Sequence, residues 1–421
     1  MTKMHIEEIH AKSIIRQGGP SIFSWSEVYL NPYQGCYHDC VYCDGKSENY
    51  HMHDDFGHLI KVKINAPQLL VKFLQGKGFF PVHKKEQMAM YDYFPSLKDS
   101  SGSKLSKWII TPGGGVCDAY QQAEETVKMT RKLLEILYDY QFPVWILTKN
   151  DLVLRDIDLL KKINEESYAC VSFTITHNDE KVQKIFEPRA STTNKRFEAI
   201  RELRKAGIHS GIYCYPALPF IGDTDENIQA IYKRAKEVGA EFIYANGLTL
   251  KPGRSKNEFM ETLKQYDPEI YSKYIHLYGN ENKYGNLDIE QFKRYKLKHP
   301  LLTGYKYGYE LGIDYCAKRY PPEGQIETNV HLAEILHRIS YIKNNIIRTP
   351  LYEINAFSKA TRMVETSKRD FGLLEKEDYE DIPTTKLVRE VIIDYLEKKK
   401  SKYLLDLEKE AYERIVAKYY S

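Results

Sequence analysis

Apolar residues recur along this chain with two periods that alternate. Short runs rich in β-branched and aromatic residues, at 108–111, 144–148, 169–176, 209–215 and 242–245, read as strands. They are too apolar for a sheet wetted on one face. Between them apolar positions fall at helical spacing over 121–140, 154–166, 179–186, 194–206 and 226–238. Gly207 follows the fourth of these as a C-terminal glycine should. Strand and helix repeat about every 30 residues, the signature of a parallel sheet covered by helices. With the β-like run at 27–30 the chain has six such units, which predicts an α/β fold: a partial (β/α)6 TIM-type barrel rather than a closed eight. Residues 61–65 also alternate like a strand, and 66–74 like a helix.

The same pattern sets the expected divisions. Residues 1–24 read as a polar lead-in and 25–250 as the barrel, interrupted by a polar, glycine-containing insertion at 76–106. Residues 251–330 read as a C-terminal part of the core, charged, tyrosine-rich and helical over 256–300, and 331–421 is a mainly helical C-terminal extension dense in Lys and Glu, with solvated faces. The 421 residues are 42% hydrophobic, enough for a large core with an appended piece. No apolar run reaches the roughly 18 residues a membrane span needs, so no membrane association is expected. The first residues lack a secretory apolar core, and a cytoplasmic location is the expectation. With 61 basic against 58 acidic side chains the formal charge is only +3, so any groove for nucleic acid must be local. The 34 tyrosines fit stacking platforms for bases, but also the bias of an AT-rich genome, which is the simpler account.

Candidate chemistry begins at Asn31-Pro32-Tyr33-Gln34-Gly35-Cys36-Tyr37-His38-Asp39-Cys40-Val41-Tyr42-Cys43, where three of the seven cysteines fall at the spacing Cys-x3-Cys-x2-Cys. A short loop of soft thiolates suits an iron–sulfur cluster, and three thiolates on a four-iron cube leave one iron open. A zinc knuckle with His38 as fourth ligand, or three unrelated buried thiols, are the alternatives. His51, His53 and His58 form a weaker metal candidate. In a parallel β/α sheet ligands gather at the carboxyl ends of strands. After the strand at 108–111, Gly113 and Gly114 expose backbone to a close ligand and Asp118 offers a carboxylate to an ammonium group; a plain turn with a helix cap is the other reading. Thr148 and Lys149 follow the next strand. Ser172, Thr174 and Thr176 share one face of the next, able to hold a ribose or to bond each other. Arg189 suits a bidentate clamp on a carboxylate, or a surface ion pair. The loop at 216–224 offers an apolar shelf, or simply a cap through Asp223 or Thr224. Cys117, a thiol at a strand end, is placed to give a hydrogen atom to a product radical or to pack in the core, whereas Cys170 and Cys214 lie within strands and read as structural.

Taken together these motifs resemble the radical S-adenosylmethionine (SAM) superfamily, and within it the spore photoproduct lyase-like, or DNA repair photolyase-like, family. The carriers are Asn31-Pro32-Tyr33 with the cysteine loop, Val62-Lys63-x-Asn65-Ala66, Asp118-x-Tyr120-Gln121-x2-Glu124, Ile146-Leu147-Thr148-Lys149, Leu154-Arg155-Asp156, Glu187-Pro188-Arg189-Ala190 and the loop from Pro216 to Asp223. They span about residues 24–250, and less closely to about 330. The resemblance implies a radical SAM partial barrel, a [4Fe–4S] cluster on Cys36, Cys40 and Cys43, SAM on the open iron, and Tyr42 near the adenine. It implies an external electron donor of the flavodoxin or ferredoxin type and a 5′-deoxyadenosyl radical. The expected substrate is a DNA photolesion, with RNA, a peptide or a small metabolite as alternatives; a zinc-dependent nucleic-acid-binding protein without catalysis is the reading from another class. Two departures bear on the substrate. Relatives of this kind generally have Thr at the position of Cys117, and the region beyond 330 has no counterpart in the family pattern.

Overall fold

The computed structural model describes residues 4–18, 26–82, 107–113, 116–279, 283–320 and 325–420. Two compact units divide the chain. The first runs from Met1 to Tyr315, apart from Ser21–Trp25 and Leu105–Lys107, and the second comprises Cys316–Ser421 with those two short segments.

Ten strands are described, all in the first unit: β1 His5–Ile9, β2 Ile15–Gln17, β3 Ser26–Leu30, β4 Tyr33–Gln34, β5 Leu59–Lys63, β6 Ile109–Pro112, β7 Val144–Thr148, β8 Ala169–Thr174, β9 His209–Ala217 and β10 Ile243–Gly247. The main sheet has the order β10-β9-β8-β7-β6-β3-β2. The six strands from β3 to β10 in that sheet are parallel, and β2 lies antiparallel on β3. This is the partial (β/α)6 arrangement that the alternation predicts. Every residue of β6 and β8 is buried, as expected of strands covered on both faces.

At the amino ends of the strands large side chains close the interior. Trp145 and Phe242 bring their rings to 5.6 Å. Gly211 makes room for them, because a Cβ there would lie 2.4 Å from the Phe242 ring. The Trp145 Nε1–H donates to Ser172 Oγ at 3.1 Å.

Several elements differ from the expectation. The polar lead-in supplies β1 and β2, and the strand expected at 61–65 starts at Leu59 and joins a separate sheet of order β1-β5-β4. Asn65 ends it: its side chain bonds the Ala11 N–H and C=O, both at 2.9 Å, in place of a further ladder pair, and the helix Ala66–Gly76 follows. The helix expected over 121–140 is two helices, Glu124–Val127 and Met129–Asp139, broken where Lys128 turns left-handed at φ 52°. The break is stabilised by the Glu124 carboxylate, which accepts from the Thr130 N–H at 3.0 Å and the Arg131 N–H at 3.3 Å and so caps the second helix. The helix expected at 154–166 begins as a tighter 3-10 turn, Asp151–Asp156, before Ile157–Glu166. Of the expected insertion, residues 83–106 lie outside the described residues.

Beyond β10 the helices Arg254–Tyr266 and Pro268–Leu277 stay with the first unit, where Phe259, Leu263 and Tyr274 share an apolar cluster with Val41, Tyr42 and Phe186. The second unit is helical, with Glu327–Ile342, Leu351–Thr366, Lys386–Lys398 and Lys402–Tyr419 burying Leu336, Phe357, Val364, Ile392 and Leu407. Among the described residues no helix is long and apolar enough to cross a membrane.

Candidate active site

The loop that carries the three cysteines follows β4 and has almost no repeating structure of its own, so its polar backbone must find partners elsewhere. Gly35 turns it at φ +86°, where a Cβ would lie 2.3 Å from the Leu59 carbonyl oxygen. Cys36 N–H donates to Phe56 O at 2.9 Å and Val41 N–H to Phe186 O at 3.0 Å. The Gln121 side chain clamps the middle: its Nε2 donates to Gly35 O at 3.0 Å while its Oε1 accepts from Tyr37 N–H at 2.8 Å. Below it, the Tyr33 hydroxyl donates to buried Glu124, which also pairs with Arg155 at 2.9 Å. Tyr120 Oη donates to Asp156 at 3.1 Å, and Arg131 reaches the same carboxylate at 2.8 Å. The spaced motif Asp118-x-Tyr120-Gln121-x2-Glu124 is thus a brace for the loop.

Asp118 is the busiest member. Its Oδ1 accepts from Thr148 Oγ1 at 2.7 Å and Tyr120 N–H at 2.8 Å, and its Oδ2 from Lys149 N–H at 2.8 Å, with His38 Nδ1 at 3.4 Å. Burial works against its charge, but His38 and these donors outweigh it and hold the carboxyl at about 2. An ammonium group was the partner expected for Asp118; both oxygens are instead engaged in fixing the end of β7.

A second buried carboxylate anchors the other side. Glu187 accepts from the Tyr42 hydroxyl, from Arg196, from Thr176 Oγ1 at 3.3 Å and from Gln183 Nε2 at 3.3 Å. Burial pushes it up, yet Arg196 and Lys149 hold it at about 2. Lys149 Nζ lies 5.9 Å from the centre of the Tyr42 ring. Burial opposes its charge, but the carboxylates of Glu187 and Asp118 raise its pKa overall, so it is a partly buried cation.

These elements enclose one cavity of about 320 Å³ at the carboxyl ends of the strands. Cys36, Cys40 and Cys43 line it, as do Tyr42, Cys117, Asp118, Thr148, Lys149 and Thr174. Other expected residues lie elsewhere. Ser172 is deeper in the sheet, occupied by Trp145. Arg189, expected as a carboxylate clamp, is paired with Asp39 and stacked 4.2 Å from the Tyr37 ring centre, because the loop turns Asp39 toward it at φ 53°. Gly113, at φ +75°, allows the close approach of Ala119, whose Cβ would be 2.7 Å from an added Cβ; it does not line the cavity. Gly114 lies outside the described residues. Of the loop expected as a shelf, Pro216 reaches the cavity. Phe220, Asp223 and Thr224 line a separate cleft of about 490 Å³. Thr224 caps the next helix by accepting from Asn227 N–H at 3.2 Å. Gln121 and Glu187 were quoted within motifs but assigned no role; their buried, doubly bonded side chains give them one.

The donor set fits an iron–sulfur cluster. All seven cysteines are free, and four thiols line the one cavity. Burial pushes Cys40 and Cys117 up to about 12 and raises Cys36 and Cys43, so the bare loop holds thiols, and thiolates there need a metal to stabilise them. Among the described residues no three His, Cys, Asp or Glu side chains gather as ligands of a single ion. Zinc requires such a convergence, whereas a cube takes one thiolate per iron. His38, the fourth ligand a zinc knuckle needs, is turned toward Asp118, and its Nε2 is buried without a hydrogen-bond partner among the described residues.

Two outcomes follow. Gln121→Leu orphans a buried donor and a buried acceptor at about 1–3 kcal/mol each; thermal unfolding should come at lower temperature and less iron should be retained per chain after anaerobic reconstitution, with Gln121→Glu in between. Glu187 has a folded pKa near 2 against an ordinary 4.5, so the stability it contributes is full above about 4.5 and is lost as pH falls toward 2. Glu187→Gln should therefore flatten the acid limb of stability between pH ~5 and ~3, measured by denaturant unfolding of the metal-free protein.

Comparison with known proteins supplies the family. Residues 102–235 match the family model of the Radical SAM superfamily, a span that covers β6 to β9 and starts after the cysteine loop. An uncharacterized protein of Methanocaldococcus jannaschii is 28% identical over 272 residues, 64% of this chain and 86% of that protein. The radical SAM Nalpha-GlyT isomerase of Pseudomonas phage M6 is 25% identical over 199 residues, 47% of this chain and 40% of that protein. Among solved structures, spore photoproduct lyase complexed with dinucleoside spore photoproduct aligns with a TM-score of 0.46 at 15% identity, over 73% of this chain and 79% of that one. Residues 102–235 thus carry a radical SAM domain, set beside a three-cysteine loop at the strand ends, and a domain of this kind implies a [4Fe–4S] cluster and SAM as cofactors.

Proposed function

We propose that this protein removes a hydrogen atom from a nucleic-acid-derived substrate, a DNA photolesion of the spore photoproduct type being the first to test. The observation that carries the reading is that Cys36, Cys40 and Cys43 share one cavity with Cys117, Thr148 and Lys149. Cys36, Cys40 and Cys43 would hold the cluster. When bound there, the cluster and SAM would supply hydrogen-atom abstraction from a substrate carbon, with one electron from an external donor consumed in cleaving SAM.

The chain's own residues do the rest. Lys149, braced through its backbone by Asp118 and lying over Tyr42, presents a cation suited to the methionyl carboxylate. Thr148 is held by the same carboxylate. Thr174 adds a hydroxyl to the wall, and its carbonyl accepts from Arg196 at 2.8 Å. Cys117 donates the hydrogen atom of its S–H to the product carbon; the thiyl left behind is restored by one electron from a flavodoxin- or ferredoxin-type donor and one proton from solvent. A neutral thiol is the form that has a hydrogen atom to give, and burial among apolar neighbours favours it. The phage relative's name, an isomerase, supports a second outcome in the same cavity, a rearrangement in place of bond scission.

Anaerobic reconstitution with iron and sulfide should give a brown protein with about four irons per chain, forming 5′-deoxyadenosine from SAM and dithionite. Cys40→Ala should retain little iron and form none, since two thiolates cannot hold the cube; protein that stays colourless and iron-free after reconstitution would end the enzyme reading. With ultraviolet-damaged DNA as substrate, Cys117→Ala should lower the ratio of repaired product to 5′-deoxyadenosine by about tenfold or more, equivalent to at least ~1.4 kcal/mol. An unchanged ratio makes Cys117 a packing residue.

A further inference from the structure

The cavity has a second wall, whose residues differ in chemistry from those around Lys149 and the thiols. Asp44 and Tyr50 come from the segment after the third cysteine, Tyr215 from the end of β9 and Thr249 from just beyond β10. Lys251 pairs with the Asp44 carboxylate, and its Nζ lies 3.2 Å from Tyr50 Oη and 4.9 Å from the centre of that ring. The pairing leaves this wall without net charge. Asp44 Oδ1 is nevertheless buried with no hydrogen-bond partner among the described residues, which is costly unless a ligand brings a donor. Tyr215 is 38% exposed. Its ring is backed by Tyr244 at 6.2 Å, and its hydroxyl bonds to Thr249.

One exposed ring, one unused acceptor and no net charge select a neutral planar group that carries an N–H. A phosphate or carboxylate brings no N–H to the Asp44 oxygen, and an aliphatic chain would leave it bare. The Tyr42 wall, with the Lys149 cation, suits the carboxylate-bearing cofactor instead. We propose that Tyr215 and Asp44 recognise a nucleobase of the substrate: Tyr215 stacks on the base and Asp44 accepts its ring N–H. This rests on the nucleic-acid-derived substrate proposed above and names the residues that select it.

The test is equilibrium titration of the reconstituted, SAM-loaded protein with thymidine, with N3-methylthymidine, which lacks the N–H, and with 5,6-dihydrothymidine, whose ring is puckered. Thymidine should bind several-fold more tightly than either analogue. Tyr215→Ala should weaken thymidine about tenfold and erase the preference over the puckered ring, whereas Tyr215→Phe keeps both; iron content equal to the wild type shows that each variant is folded. Asp44→Ala should erase the preference over N3-methylthymidine. Three nucleosides bound alike, thymidine bound equally by Tyr215→Ala, or no thymidine bound while SAM affinity falls in Tyr215→Ala would each overturn the proposal, the last by giving this wall to the cofactor's adenine. Formation of 5′-deoxyadenosine from SAM by the wild type is scored separately: its failure defeats the underlying radical reading, while its success without nucleoside binding defeats only the recognition site.

Discussion

The structure depends on holding an eight-residue cysteine loop rigid where neither helix nor sheet can hold it. Such a loop exposes backbone donors and acceptors in a water-poor place, and each one left unpaired costs about as much as a lost hydrogen bond. The solution is side chains that act as backbone. Gln121 takes the carbonyl of Gly35 and the N–H of Tyr37 together, and Glu124 accepts two N–H groups at the start of a helix as well as the Tyr33 hydroxyl. Because Gln121 and Glu124 sit at the base of β6's following helices, the loop is fixed to the sheet rather than to its own chain neighbours. Lys63 adds a further tie, its Nζ donating to Asn31 O at 2.8 Å.

Two buried carboxylates divide the remaining work. Asp118 fixes the end of β7 through Thr148 and the Lys149 N–H, and Glu187 fixes Tyr42 through its hydroxyl. Both stay ionised because each has positive or donor groups on several sides, where a lone buried carboxylate would take up a proton. Lys149 joins the two: its backbone is bound to one carboxylate, and the charge of its ammonium is stabilised by both. A partly buried cation placed in this way costs less to keep charged than one that must find its counter-charge in the ligand. The cavity is therefore electrostatically organised before any cofactor enters.

Much of this was legible in the sequence because hydrophobic period reports burial directly. Strands β6 to β10 and their helices appear wherever the apolar run is long, and the strand-end rule brought Cys117, Asp118, Thr148, Lys149 and Thr174 to one place. The misses have physical causes. A helix pattern continues smoothly through 121–140 since Lys128 offers no breaker; the turn is made by Glu124, whose caps reach across sequence. Ser172 and Thr174 share a face, yet the barrel interior is layered, and only depth along the strand separates a residue under Trp145 from one at the cavity. Arg189 illustrates a different limit: a motif marks where a charge lies and not which partner is nearer, and Asp39 is the nearer one. The lead-in was too polar to register as strand, because β1 is a partly exposed edge strand whose apolar positions number only Ile6 and Ile9.

The contrast between the cavity's two walls bears on how radical chemistry is kept specific. One wall carries Lys149 and the thiols, a charged and soft environment that suits metal and an amino-acid carboxylate. The other pairs Asp44 with Lys251 and presents a tyrosine ring. A reactive intermediate made between them meets two different chemistries, so cofactor and substrate have little reason to exchange places. Selectivity of this kind needs no tight substrate binding. It requires that the wrong group on either wall leave a buried charge or a buried acceptor without a partner, a penalty of about 1–3 kcal/mol or more. Asp44 is the residue on which that argument turns, since its neighbour Cys43 fixes it to the metal loop while Lys251, its ion-pair partner, belongs to the segment beyond β10. The same side chain thus ties the radical-generating loop to the wall that would select the substrate.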